Sequence, residues 1–252
     1  MATIYSPKIP TNGLCFVMDP ADKNCYGGSG TSATDTVNLT TNTLSDASIG
    51  TDTSGVFDLS DNSSGTLYID LPTDMGYTTE VSFFSWFKRT TNTSVLGSYH
   101  IICGDGAFEM SIQKDSAYLR NGVTVNGTRY VANQGSTIGT NTWHCVGVTY
   151  TNYTKTAYID GVSVGTQTCG SSGNLDSSVT NRRLGRYGTQ SYAMRGNLGP
   201  FMVWDRVLSA KEVKDLFDAQ RVKQGLVPVK ITGADGIRRT YWCRPGFEDK
   251  MI

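Results

Sequence analysis

Glu80-Val-Ser-Phe-Phe-Ser-Trp-Phe-Lys88 carries aromatic side chains at both odd and even positions. Successive residues of a strand point to opposite faces, so both faces of this one must be covered. A strand buried on both sides lies in the middle of a sheet. Trp143-His-Cys-Val-Gly-Val-Thr-Tyr150 reads as a second core strand, with His144 on the same face as Val146, Val148 and Tyr150. Its histidine is read as a packed residue at a strand end.

Further strand signals extend in both directions from these two. Residues 14–18 form a short apolar run closed by Asp19-Pro20. Residues 56–59 and 66–71 read as a pair around the turn residues 61–65. Residues 99–103 and 107–113 flank Gly104-Asp-Gly106, and 117–119 and 123–125 bracket Arg120-Asn-Gly122, read as a turn because Asn-Gly tolerates positive φ. Residues 156–159 and 162–164 around Asp160-Gly161 make the clearest hairpin, and 183–186 and 199–204 add strands. More than ten short strands at about ten-residue spacing predict a sandwich or barrel. One helix is specified: Ser209 and Glu212 form a capping box, Val213, Leu216 and Phe217 share a face, and Gly225 is the expected stop, about four turns on. Residues 228–232 and 237–243 predict a terminal hairpin.

Composition narrows the function. The 252 residues hold 22 basic and 22 acidic side chains, a net charge of zero. That argues against a nucleic-acid binder working through bulk phosphate attraction. No run approaches the roughly 18 apolar residues of a spanning helix, and residues 1–10 lack the apolar core of a secretory signal, so no membrane insertion is expected. The six cysteines (15, 25, 103, 145, 169 and 243) include no C-x-x-C pair and are expected as free thiols. Residues 19–55, rich in Gly, Ser, Thr and Asn, read as a long surface excursion with one or two edge strands.

In combination these segments resemble the concanavalin A-like lectin/glucanase superfamily, in its laminin G-like branch. The carriers are Glu80 to Lys88, Trp143 to Tyr150, Ala157-Tyr-Ile-Asp-Gly-Val162 and Gly196-Asn-Leu-Gly-Pro-Phe-Met-Val-Trp-Asp-Arg-Val-Leu-Ser-Ala-Lys-Glu212. The opening, Gly13 to Thr31, and the ending, Phe217 to Leu226, are similar to laminin G-like proteins of tailed phages. The resemblance implies an all-β fold, a two-sheet antiparallel jelly-roll sandwich with one short C-terminal helix and a terminal hairpin. The expected organisation is an extended arm over 1–13, the sandwich over 14–226 and an extension over 227–252.

The superfamily includes retaining glucanases, which need two carboxylates about 5–5.5 Å apart. A Glu-x-Asp-x-x-Glu run would supply them. The four glutamates, Glu80, Glu109, Glu212 and Glu248, open no such run, so no catalytic residues are assigned and no enzyme is expected. Carbohydrate sites combine aromatic faces with short polar groups. The densest such cluster is Arg183, Arg186, Tyr187, Gln190 and Tyr192, to which Tyr99 is added as a loop tyrosine. Laminin G-like relatives often hold calcium at the rim, which here would draw on Asp58, Asp61, Asn62 and Asp105. Asn197 stands where the family frequently has Asp, which argues against it, and no cofactor is expected. Tyr241, Trp242 and Phe247 in the extension are costly to expose and are expected to dock on a partner.

The reading that follows is a non-enzymatic phage virion protein, on capsid or tail, assembled in the host cytoplasm. It would be present in several copies or as a homo-oligomer, contact other virion proteins, and bind a glycan through a lectin-like fold. A secreted or cell-surface carbohydrate-binding module is the alternative, and a glycoside hydrolase the third reading.

Overall fold

Thirteen of the strands stack into two facing sheets, and the alternation along each strand explains why. The computed structural model describes residues 8–50, 55–90, 97–104, 107–135, 138–170, 173–176, 181–188, 192–221, 227–232 and 238–243. In chain order the strands begin with β1 (Leu14–Met18), β2 (Ser32–Thr34), β3 (Thr41–Thr43), β4 (Phe57–Asp58) and β5 (Ile69–Asp70). The long central strands follow: β6 (Val81–Arg89), β7 (Tyr99–Gly104), β8 (Phe108–Gln113), β9 (Leu119–Val125), β10 (Thr128–Gln134) and β11 (His144–Thr151). Then come β12 (Thr154–Ile159), β13 (Val162–Thr168), β14 (Arg183–Leu184) and β15 (Gly196–Trp204). Helix α1 (Ala210–Gln220) precedes the terminal pair β16 (Val227–Thr232) and β17 (Arg238–Cys243).

One sheet runs β1-β15-β6-β11-β12-β13, with β4 also paired to β15, and the facing sheet runs β10-β9-β8-β7-β14-β5. Every pairing is antiparallel. As its aromatic pattern requires, β6 is central, between β15 and β11. Val81, Phe83 and Phe87 enter the main core between the sheets, together with Val146, Val148, Tyr150, Met110, Ile112 and Leu119. Phe84 and Trp86 face the other way, into a second core roofed by Val213, Leu216 and Phe217 of α1. Trp86 stacks on Phe217 (centroids 5.4 Å apart, planes 11°), and its Nε1 donates to Gln220 Oε1 at 2.7 Å.

The capping box at Ser209 and Glu212 is present. Arg206 adds two bonds to the Glu212 carboxylate, which holds its pKa down at about 2. The helix is shorter than the sequence suggests. It is three turns long with Arg221 as its C-cap, because Gln220 is the last residue buried against the sheet. No helix of the described residues is long and apolar enough to cross a membrane.

Two local readings are corrected. Residues 56–59 and 66–71 do not pair with each other. Instead β4 joins β15 in one sheet and β5 joins β14 in the other. The reason is Asn62, fully buried, whose amide accepts from Leu67 N and donates to Leu67 O and Met194 O. It holds the connection between the layers open. Likewise Arg120-Asn-Gly122 is no turn but the middle of β9, and the chain reverses at Asn126-Gly127 (φ +48° and +74°). Asp160-Gly161, at +51° and +79°, is the predicted hairpin turn. Within 19–55 lie the short pair β2–β3 and the buried Asp35 carboxylate, which accepts from Val17, Val37 and Asn38 N–H groups.

Five cysteines, Cys15, Cys25, Cys103, Cys145 and Cys169, are free thiols. Burial pushes Cys15 and Cys25 up to about 12, which keeps both thiols protonated and inert near neutral pH. The terminal hairpin forms as a separate two-stranded sheet, with Tyr241 opposite Val229 and Trp242 opposite Pro228. Phe247 lies outside the described residues.

Candidate functional site

Register across the β10-β9-β8-β7-β14-β5 sheet sets up the site. Phe108, Met110 and Ile112 of β8 point into the core, so Glu109 and Ser111 point outward. Pairing then aligns Asp70, Arg183, Gly104, Glu109, Gly122 and Val131 in one row across the outer face. The next row along β7, β8 and β9 carries Ile101, Ser111 and Arg120. Arg129 projects from β10 opposite Thr124.

Two glycines in the first row make room. A Cβ on Gly104 would lie 2.6 Å from the Tyr187 ring, so that ring rests directly on the β7 backbone. A Cβ on Gly122 would lie 3.3 Å from Val131 and 3.7 Å from Glu109. The resulting cleft, of about 140 Å³, is lined by Tyr99, Ile101, Glu109, Arg120, Arg129, Tyr187 and Tyr192.

Its polar centre is Glu109, only 3% exposed. Ser111 Oγ (2.8 Å) and Arg120 Nε (3.0 Å) donate to Oε1, and Arg129 Nη2 donates to Oε2. Each guanidinium also lies over a ring: Arg120 over Tyr99 at 4.9 Å and Arg129 over Tyr187 at 5.2 Å. Tyr192 meets Tyr99 edge to face at 6.0 Å, and its carbonyl accepts from Tyr187 N at 3.1 Å. The tyrosines are thus held by the sheet below and by the arginines beside them.

Beneath the cleft, on the inner face of β9, Asn121 accepts from Lys155 Nζ through its backbone oxygen (2.7 Å) and Oδ1 (2.5 Å). Lys155 is fully buried, and burial pushes its pKa down from 10.5 to about 8. Cys169 and then Glu109 oppose that fall, and Arg120 adds to it.

Of the residues picked out in the sequence, Tyr99, Tyr187 and Tyr192 meet in the cleft. Arg183 and Arg186 stand beside it and stack on Tyr68 at 4.0 and 5.4 Å, with Arg183 Nε bonded to Asp70 at 2.8 Å. Gln190 lies outside the described residues. Glu109, Arg120 and Arg129 were not foreseen as site residues. The signal for them lies in strand register, which brings three separated positions together.

The calcium candidates sit elsewhere. Asp58 Oδ1 accepts from Ser60 N (2.8 Å) and from Asn197 Nδ2 (3.1 Å) across the β4–β15 pair. The amide of Asn62 is spent on Leu67 and Met194. Asp61 is exposed, and Asp105 lies outside the described residues. Among the described residues no three His, Cys, Asp or Glu converge as metal ligands. Asp58 and Asn62 are thus engaged with backbone and amide partners.

A family model described as the concanavalin A-like lectin/glucanases superfamily, in its laminin G type, matches residues 61–214. The chain belongs to this superfamily. The matched span takes in the whole cleft, from Tyr99 to Tyr192. Among solved structures, Trypanosoma rangeli sialidase aligns with a TM-score of 0.59 at 14% identity, over 86% of this chain and 34% of the sialidase. This chain therefore spans about a third of that enzyme. Domain 4 of AbnA, an extracellular GH43 arabinanase of Geobacillus stearothermophilus solved with arabinotriose, aligns at 0.54 and 15% identity, over 81% of this chain and 97% of that domain. The CBM40 of a Ruminococcus gnavus IT-sialidase, bound to α2,3-sialyllactose, aligns at 0.50 and 16% identity, over 60% and 92%. At these identities the likeness is one of fold. A search of curated proteins finds no matching sequence.

Proposed function

We propose that this chain is a non-catalytic glycan-binding component of a bacteriophage particle, and that the cleft on the outer face of the β7–β10 region is its sugar site. One observation carries the glycan reading. Three tyrosines, two arginines and a carboxylate line one small cleft on a lectin-type sandwich. Aromatic walls with a few fixed polar groups are what a sugar requires, since its ring offers apolar C–H faces and a rim of hydroxyls.

Binding without cleavage is supported by the acid count. A retaining glycosidase of the two-carboxylate type needs those groups about 5–5.5 Å apart. The cleft lining holds one, Glu109, and Ser111, Arg120 and Arg129 already occupy its oxygens. The particle reading rests on the likeness of residues 13–31 and 217–226 to tailed-phage proteins. Repetition on a capsid or tail would suit a shallow site, because avidity multiplies weak single contacts.

Two measurements test these halves separately. Purified virions probed by mass spectrometry should contain the chain in many copies, and its absence from intact particles rules out the virion role. Binding on a glycan array, with no product after prolonged incubation of the bound sugars, is the expected outcome for the site. Release of a shorter oligosaccharide would make the protein a hydrolase.

A further inference from the structure

We infer that the cleft selects acidic glycans, those carrying a carboxylate on the sugar, over neutral ones. This rests on the glycan-binding reading and adds the ligand class to it. The first observation is charge. Arg120 and Arg129 face one carboxylate, so the lining carries 2 − 1 = +1. Beside it stand Arg183, paired with Asp70, and Arg186, both over the Tyr68 ring. The full chain is neutral, so the cleft lining is more positive than the chain as a whole.

The second observation is unspent hydrogen-bonding capacity. A guanidinium has five N–H donors. Arg120 commits Nε to Glu109, and Arg129 commits Nη2. Neither makes another hydrogen bond to a described residue. Their side chains are 25% and 39% exposed, so the remaining donors are open to solvent at the cleft. Both planes are already set, by a carboxylate on one edge and a tyrosine ring on one face. A ligand therefore meets two pre-oriented forks. Charge-assisted bonds to a carboxylate are about twice as strong as neutral ones, and a planar fork matches a carboxylate two bonds at a time. A neutral hydroxyl would strip water from both cations and return less.

The third observation is shape. Ile101 and the Tyr99–Tyr192 pair give the cleft apolar walls, which a bare inorganic anion cannot use. The cleft is small and open, about 140 Å³, which suits one sugar ring seated against the tyrosines. The ligand is thus an acidic sugar residue, terminal or side-branched, with its ring against tyrosine and its carboxylate on the arginines.

The test uses the full chain on an array that pairs carboxylated oligosaccharides with their methyl esters, and sulfated sugars with their desulfated parents. Calorimetry follows on the best pair, with sodium acetate and inorganic phosphate as sugar-free competitors. The expected result is at least tenfold tighter binding of the free acid than of its ester, weakened by added salt. R129Q, which also takes the donor from Glu109 Oε2, should melt below the wild type yet stay folded by circular dichroism, and its acid-to-ester binding ratio should fall towards one. R129K should keep an intermediate preference. Equal binding of acid and ester, or an R129Q variant that keeps the full preference, overturns the inference and leaves glycan binding standing. Sulfated sugars bound to the exclusion of carboxylated ones, or acetate and phosphate displacing the sugar at equal concentration, also overturn it. Binding of no glycan in any arm overturns both readings.

Discussion

Replacing Lys155 by methionine removes an ammonium group from the dry space between the sheets. Lys155 is fully buried, and among the described residues its Nζ donates only to the backbone oxygen and Oδ1 of Asn121. Burial lowers its pKa from 10.5 to about 8. The sign follows from proton counts. Between pH 8 and 10.5 the unfolded chain holds more of this proton than the folded chain, so stability rises with pH across that window. Below pH 8 both states are protonated and the full penalty, about 3 kcal/mol at 1.36 kcal/mol per pKa unit, is present. Methionine abolishes the penalty, but it leaves the Asn121 oxygens without a donor, a cost of about 1–3 kcal/mol. The two nearly cancel at pH 7, so K155M should lie within about 2 kcal/mol of the wild type there. The pH dependence decides the matter. Urea unfolding of both proteins at pH 7, 8, 9 and 10 should give a difference that is flat from 7 to 8. It should then move in the wild type's favour by about 1 kcal/mol per pH step. Cys15 and Cys25, pushed up to about 12, pull the absolute curves the other way above pH 9, but they are common to both proteins and cancel. A difference that stays constant from pH 7 to 10 would refute the reasoning.

Three further outcomes follow from the same geometry. His100 is buried with neither ring nitrogen partnered among the described residues, and burial, with Arg89, Arg195 and Lys114 nearby, pushes its pKa from 6.5 down to about 4. The unfolded chain binds the extra proton between those values, so stability should fall by up to about 3 kcal/mol as pH drops from 6.5 to 4. H100F should lose that part of the acid sensitivity in a pH series of thermal melts. Trp86→Phe should cost about 2–3 kcal/mol, chiefly by stranding the buried Gln220 oxygen, and lower Tm by roughly 4–10 °C in calorimetry. Gly147→Ala would place a Cβ 2.0 Å from the Phe84 ring in the middle of two central strands. It should cost at least about 1–3 kcal/mol by chemical denaturation.

The central strand was readable because its chemistry leaves no choice: aromatics on both faces of residues 80–88 demand two covers, and the two cores supply them. The helix start was readable for a similar reason, since Ser209 and Glu212 satisfy each other locally. What misled was the strongest short-range signal. Asn121-Gly122 and Asn126-Gly127 are the same dipeptide five residues apart, and only the second turns. The choice is made by distant residues. Lys155 needs the Asn121 oxygens inside the sandwich, and Val131 and Glu109 need the space above Gly122. That misreading also hid Arg120 in a supposed turn. Tyr187 and Tyr192 are visible as aromatics in a polar stretch, whereas Tyr99, read as a loop tyrosine, opens strand β7. Glu109, Arg120 and Arg129 are not visible as site residues, because they meet only through the register of three strands, and β10 lacks a clear apolar pattern.

The central claim is that the cleft around Glu109 is where this sandwich holds a sugar. Titrating the isotope-labelled chain with an acidic oligosaccharide while following backbone amide resonances reports the contact surface directly. Saturable shifts confined to Tyr99, Ile101, Glu109, Arg120, Arg129, Tyr187 and their neighbours are the predicted result. Shifts centred on Asp58 and Asn197, or a spectrum unmoved at millimolar sugar, would contradict it.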